Sequence, residues 1–334
     1  MKDVANRAGV SASTVSRALT GDVNVSDSTR QRVQEAIATL GYRPNHIART
    51  LRRRKSDTIG VVVSDIENPH FTRAVRAIED AAFRQGYRVI LCNTDETAEK
   101  QRAYLEVLAA EQVVGVILAP ADAGDPTVSM LLDMGIPIVA FDRSVDDERA
   151  DAVFADNRQA VITATEHLLS LGRRNVAFVA GRSSIQTGAE RLQGYEDVMA
   201  RHGLPMRVGT GEFRQDVARR AMTELLGEYP EIDGVVVANN LMAVGVMEAI
   251  AEAGLRTPED VALVGIDDPM WASLVAPPLT ALGQPTQQMA SRAFDLLLDR
   301  IAQKRTSTRF EVFHFHLHVR ESCGSGRSVS QVAG

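Results

Sequence analysis

Three groups of residues in this chain have the types and spacing for chemistry. Near the N-terminus, Ser13, Thr14, Ser16 and Arg17 place three hydroxyls and a guanidinium within five positions, and Arg52-Arg-Arg-Lys55 adds four consecutive cations. Such groups bond phosphate oxygens and base edges. Further on, carboxylates and carboxamides close a series of apolar runs: Asp65, Asn93, Asp142, Asp156, Asn239-Asn240 and Asp267-Asp268. Near the end, His314, His316 and His318 alternate. On a strand that spacing can serve a metal. No fourth ligand lies nearby in sequence, however, and Phe313, Phe315, Leu317 and Val319 between them read as core, so a surface histidine row is expected.

Catalytic patterns are missing. Gly181-Arg-Ser-Ser184 has no P-loop lysine, and no serine elbow, His-Glu-x-x-His or kinase signature occurs. An enzyme is not expected and no cofactor is implied. Cys92 and Cys323 form neither a disulfide framework nor a zinc motif, and Cys92, closing an apolar strand, reads as a small hydrophobe.

The 334 residues carry a net charge of −6, unevenly spread. Residues 1–55 hold eleven Lys and Arg against four Asp and Glu. A basic head on an acidic body points to a polyanion partner for the head alone. No run approaches the ~20 apolar residues of a membrane span, and no apolar segment of a secretory signal follows Met1.

The elements that must position these groups change character along the chain. Residues 3–41 read as three short helices. Gly9 stops the first, Ser11 caps the second over 13–19, and Ser26 caps a third running to Leu40. Val4, Ala5, Val10, Val15, Leu19, Val33 and Ile37 would form one small core. The first two helices and their turn have helix-turn-helix proportions, which present the second helix to a DNA major groove. Thr14, Ser16 and Arg17 can point away from its Val15/Leu19 face. Residues 45–55 follow Pro44 as a linker too short for a stable isolated helix, expected to become helical only when bound or dimerised.

From Thr58 the pattern becomes α/β. Apolar runs at 59–63, 89–92, 115–119, 136–141, 153–155, 176–180, 235–238 and 261–266 alternate with amphipathic stretches at 70–85, 99–111, 158–171, 188–202, 215–227 and 241–254. Continuous apolar strands with crossover helices imply parallel sheets covered on both faces. The polar run 142–151 breaks the alternation and reads as the crossover between two similar lobes. Open parallel sheets bind ligands at the carboxyl ends of their strands, where the polar residues named above collect.

Taken in order, Lys2-Asp-Val-Ala, Ala8-Gly-Val-Ser, Ser13-Thr-Val-Ser-Arg17, Gly41-Tyr-Arg-Pro-Asn45, Ile59-Gly-Val, Asn68-Pro, Phe71, Gly86-Tyr87, Arg191 with Gly194-Tyr195, Val264-Gly-Ile-Asp-Asp268, Pro277-Pro-Leu-Thr280 and Val319-Arg-Glu-Ser322 span nearly the whole chain. This series resembles the LacI-type (lactose repressor-like) bacterial transcription regulators. The resemblance implies a helix-turn-helix headpiece over 1–43, a hinge helix over 44–57 and a two-lobed body like the periplasmic sugar-binding fold over 58–322; the Gly- and Ser-containing residues 323–334 read as a disordered tail. It implies a cytoplasmic, nucleoid-associated homodimeric repressor on a pseudo-palindromic double-stranded operator.

Position by position, the resemblance places Ala12, Ser13, Thr14, Ser16 and Arg17 toward DNA, with Arg17 bonding guanine O6 and N7. Asn45 and Arg52 belong to the hinge helix, and Leu51 is its minor-groove wedge. The matching effector positions are His70, Phe71, Asp156, Thr187, Arg191, Phe213, Asn239, Asn240, Asp267 and Gln284. Asp, Asn and Arg suit paired hydroxyls, and an aromatic face suits a sugar ring. Asp267 and Arg191 are the leading pair, holding water or each other without ligand. The effector implied is a sugar or sugar derivative, with a nucleoside or purine as the alternative. Asn240 stands where many relatives have Asp. The rival readings are a sugar-binding transport component and an enzyme on a doubly wound sheet.

Overall fold

The computed structural model describes residues 1–19, 24–41 and 56–325. The chain divides into Met1–Ser56 and Asp57–Gly334. The sequence positions Asn45, Leu51 and Arg52 lie outside the described residues.

In the small unit, α1 (Lys2–Ala8) stops at Gly9, whose φ of 63° is the left-handed geometry that favours glycine. The second helix, α2 (Ala12–Leu19), begins with the Ser11 hydroxyl accepting the Thr14 amide at 3.1 Å. Ser26 does the same for Thr29 at the head of α3 (Asp27–Leu40). Val4, Ala5, Ala8, Val15, Ala18, Val25, Val33 and Ala36 form the core. Val10, Leu19 and Ile37, expected inside it, are only partly buried and pack against its edge.

The body holds two six-stranded sheets. Strands β1 (Thr58–Val63), β2 (Arg88–Asn93), β3 (Val116–Leu118), β4 (Ile138–Phe141) and β5 (Asp151–Ala155) are joined by β11 (Phe310–Phe313) in the order β11-β5-β4-β3-β1-β2, parallel throughout. Strands β6 (Val176–Ala180), β7 (Val208–Thr210), β8 (Gly234–Val237), β9 (Ala262–Ile266), β10 (Thr280–Gly283) and β12 (His316–His318) form the second, ordered β12-β10-β9-β8-β6-β7. There β12 runs antiparallel to β10, a departure from the all-parallel expectation. Helices α4 (Pro69–Arg84), α5 (Ala98–Ala110) and α6 (Pro126–Asp133) flank the first sheet. Helices α7 (Asn157–Ser170), α8 (Gln186–His202), α9 (Gln215–Glu228) and α10 (Asn240–Glu252) flank the second, and α11 (Thr286–Ile301) returns to the first, packing on α4.

The lobe crossover is not where polarity suggested. Val139 pairs with Asp151, so residues 142–151 join two neighbouring strands of one sheet. Their polarity belongs to a loop of ion pairs, among them Arg149 with Asp147 at 2.6 Å. The chain instead changes lobe three times, each by a short link: between β5 and α7, between β10 and α11, and between β11 and β12. The last link divides the alternating histidines. His316 and His318 lie on β12 and His314 precedes it; all three are exposed, and Val319, read as core, is half-exposed. No group of metal-ligating side chains occurs among the described residues.

The body also extends past residue 322. Cys323 is fully buried, its Sγ 3.3 Å from His167 Nε2, so it belongs to the second lobe rather than to a tail. The expected disordered tail otherwise falls on residues 326–334, outside the described residues.

Candidate effector cleft and DNA-facing helix

A cavity of about 500 Å³ lies at the carboxyl ends of both sheets. Asn93, the last residue of β2, lines it, as do the residues that follow β1, β4, β8, β9 and β10 (Asp65, Asp142, Asn239, Asp267, Gln284). Of the expected positions, His70, Phe71, Thr187, Arg191, Phe213, Asn239, Asp267 and Gln284 come together there. Asn240 instead lines a neighbouring cavity of about 230 Å³, which shares the His70, Asp267 and Gln284 wall. Asp156 lies outside both cavities. Its side chain caps α7 by accepting the Gln159 amide at 3.0 Å.

Helix caps and backbone strain place these groups. Asn68 caps α4 through the His70 amide at 2.9 Å, and Asn239 caps α10 through the Met242 amide at 2.8 Å. Asp95, Glu96, Asp142, Glu212, Phe213 and Asp267 are six of the eight non-glycine residues with left-handed φ among the described residues, and all six line the main cavity. Such backbone costs on the order of 1–3 kcal/mol per residue and concentrates at binding sites.

The polar groups are firmly held. Arg191, 4% exposed, donates from Nε to Asn157 Oδ1 at 2.9 Å and from Nη1 to the Ala238 carbonyl. Asp267 accepts from Gln284 Nε2 at 2.7 Å and from Asn240 Nδ2 at 3.4 Å. Arg191 and Asp267 therefore do not pair with each other, contrary to one expectation; each has its own neutral partners. His70 is bracketed by Thr286 Oγ1 at 3.1 Å on Nδ1 and Asp142 Oδ1 at 3.4 Å on Nε2. Burial works to raise the pKa of Asp142, but the His70 contact and the charges of Arg143 and Arg191 hold its carboxyl well below the usual range. Three hydrogen-bonded contacts join the lobes across the cleft: Asn240 Nδ2 to Asn68 Oδ1 at 3.1 Å, Arg73 Nη1 to the Asp268 carbonyl at 3.1 Å, and the Ser144 amide to Gln186 Oε1 at 2.8 Å.

Glu96, Arg143, Arg182 and Glu212 were not singled out from sequence. They follow no apolar strand as its first polar residue, and each pairs with a residue distant in sequence. Arg143 grips Glu96 with two bonds, at 2.8 and 2.9 Å, and Arg182 bonds Glu212 at 2.7 Å. The remaining signal was the strand-end rule, which had marked Asp65, Asn93 and Asp142.

On α2, Val15 and Ala18 are buried, while Ser13 and Arg17 are exposed. Thr14 and Ser16 are half-buried, and Ala12 packs partly against the core. The Ser13 and Thr14 hydroxyls lie 2.7 and 2.8 Å from Ser11 Oγ, gathering three hydroxyls at the head of this helix.

A helical unit of this form, with a body of two sheets closing over a polar cavity, defines a ligand-responsive DNA-binding regulator. Residues 1–45 match the bacterial regulatory proteins of the lacI family, and residues 56–314 match the periplasmic binding proteins and sugar binding domain of the LacI family. The chain belongs to the LacI family; it is a DNA-binding transcriptional regulator and not an enzyme. It is 35% identical over 329 residues, 98% of each chain, to the ribose operon repressor of Halalkalibacterium halodurans. It is 33% identical to the transcriptional repressor PurR of Erwinia tasmaniensis, covering 98% of this chain and 97% of that one. Among solved structures, a complex of the regulator CelR with cellobiose shares 35% identity (TM-score 0.74; 96% and 98% of the two chains covered). The lac repressor dimer bound to operator and an anti-inducer shares 28% (TM-score 0.85; 96% and 98%). No helix among the described residues is long and apolar enough to cross a membrane.

Proposed function

We propose that this regulator is a repressor, a homodimer working at the nucleoid in the cytoplasm, whose effector is a hydroxyl-rich small molecule of the sugar class. The single observation that carries the effector reading is the main cavity's chemistry. Asp267, Asn239 and Gln284 offer acceptors and amide donors, Arg191 a fixed guanidinium, and Phe213 an aromatic face. Such a set suits vicinal hydroxyls and the C–H face of a ring. The cellobiose in the CelR complex and the ribose bound to a LacI-family regulator of Enterococcus faecium agree with this chemistry.

Coupling to DNA requires that the ligand favour one arrangement of the lobes. The three inter-lobe hydrogen bonds above are the contacts such a ligand would strengthen or break. On the DNA side, Arg17, Ser13, Thr14 and Ser16 form the reading surface, while Leu51, with Asn45 and Arg52, is the proposed hinge wedge. Two-fold symmetry matches a pseudo-palindromic site. A thermal-shift screen over sugars, polyols, sugar acids and nucleosides, followed by operator gel shifts with the best ligand, tests the reading. A true ligand at 100 times its Kd adds about 2.7 kcal/mol. A response confined to nucleosides or purines would replace the sugar reading.

A further inference from the structure

Seven carboxylates and four guanidinium groups line the main cavity. Most of the guanidiniums are already matched. Arg143 is held by Glu96 and touches Asp142 at 3.3 Å, Arg182 bonds Glu212, and Arg214 lies 3.4 Å from Asp216. Arg191 is fixed by an amide oxygen and a carbonyl. The carboxylates are less well matched. Asp267 receives only amide N–H groups, and among the described residues it has no ion-pair partner, nor do Asp65 and Glu67 on the first lobe's lip. The Asp65 carboxyl is pushed up by burial, opposed by the Glu67 amide, and pushed further by the charges of Glu67, Asp95 and Glu96. The field at the lip is negative.

Resting on the hydroxyl-rich reading above, we propose that this cleft selects against negative charge. Its effector is an uncharged sugar rather than a sugar phosphate or sugar acid, and Glu96 enforces the choice by neutralising Arg143. A phosphate or carboxylate entering the cavity needs a cation with spare charge. Here it meets three guanidiniums already answered by carboxylates, and a fourth, Arg191, whose Nε and Nη1 are committed to Asn157 and Ala238, in a cavity where carboxylates outnumber guanidiniums seven to four. Like charges brought together out of water oppose binding strongly. A neutral hydroxyl, by contrast, donates to the remaining lone pairs of the Asp267 carboxylate at no such penalty. Glu96 sits on left-handed backbone, φ 55°, which aims its carboxylate at a partner 47 positions away.

Calorimetry on the full chain with matched neutral and anionic ligands tests this: ribose against ribose 5-phosphate, glucose against glucose 6-phosphate, cellobiose against cellobionate. In any pair that binds, the neutral member is expected to bind at least about tenfold tighter at low salt, the gap narrowing as salt screens the field. In Glu96→Gln, which leaves Arg143 with Asp142 as its one carboxylate among the described residues, the gap should shrink through tighter binding of the anion. An anionic member that binds as well as its neutral counterpart overturns the charge selection and leaves the hydroxyl-rich reading standing. Silence from every pair overturns both. A gap unchanged in a folded Glu96→Gln protein overturns the assignment to Glu96.

Discussion

Gly181 and Phe213 share one volume at the mouth of the second lobe. A β-carbon on residue 181 would lie 2.1 Å from Phe213 Cζ and 2.2 Å from Cε1, closer than any real contact. Relief has to come from the ring turning about its side-chain torsions, on a backbone that is left-handed at both Glu212 and Phe213, φ 54° and 60°. The missing side chain at 181 is what allows an aromatic floor beneath the cavity.

Gly181→Ala should therefore tip the Phe213 ring into the cavity and weaken effector binding, with an overpacking cost of about 1–3 kcal/mol. The check is a double-mutant cycle by calorimetry. Against a Phe213→Ala background the alanine at 181 should add almost nothing. Independent, additive losses would mean that the two residues do not share the space in solution.

Asp267 and Arg191 reach the cavity from separate elements and are each supported by neutral partners. Truncating either leaves buried amides or a carbonyl without its charged partner and deprives a ligand hydroxyl of its strongest contact. Asp267→Ala and Arg191→Ala should each lose about 2–5 kcal/mol of effector binding, while operator affinity without effector stays the same. Affinities within about twofold of the unmodified protein would place the effector elsewhere.

How far this fold could be read from its residues differs from element to element. Ser11, Ser26, Gly9 and Gly41 mark helix ends through local bonds and φ, so the three-helix unit was legible almost to the residue. Continuous apolar runs gave eight of the strands and amphipathic stretches six of the helices, but the fully buried interior strand β10 and the short α6 were not among them. The lobe crossings were not legible, because each is a short link with no composition of its own. The short edge strand β7, the three-residue β12 and the half-exposed β11, with Phe310 and Val312 at the surface, lack a buried run. Helix α11 carries a legible pattern of its own: Met289, Ala293, Leu296 and Leu297 recur at helical spacing and are all buried. In the cavity, strand-end acids were visible from pattern alone. The Arg143–Glu96 and Arg182–Glu212 pairs were not, since they depend on which loops the two sheets bring together.

Arg17 is exposed on α2, one position after half-buried Ser16 and opposite buried Val15 and Ala18. Arg17→Ala should weaken operator binding by ~1–3 kcal/mol and relax base preference at one position of each half-site. Gel-shift titrations against base-substituted operators read both effects. An equal loss on every sequence would make Arg17 a phosphate contact instead.

Asp151 offers a test of the body itself. It opens β5 with no exposed surface, and both its oxygens are occupied. Arg300 bonds it at 3.0 Å from Nε and from Nη2, Arg305 at 3.0 and 2.6 Å, and the Arg309 amide at 2.7 Å. These contacts tie β5 to α11 and to the segment leading into β11, the last strand to join the sheet. Burial alone would raise the carboxyl's pKa, but the bonds from Arg305 and Arg300 lower it below its ordinary value of 3.8. A folded pKa below the unfolded one means that the charged form stabilises the fold. That contribution is fully present above pH 3.8 and is lost as pH falls through the lower folded value. Asp151→Asn should accordingly be less stable by about 3–5 kcal/mol at neutral pH, because it leaves the part-buried guanidiniums of Arg300 and Arg305 without the buried carboxylate they share. Its urea midpoint should approach that of the unmodified protein as pH falls from 3.8 toward the lower folded value, at which the native aspartate also gains its proton. Urea unfolding followed by circular dichroism from pH 7 downward gives both curves (about 1–3 kcal/mol per molar urea sets the scale). Two curves that run parallel through the acid limb would show that the Asp151 charge contributes nothing to the stability of the body.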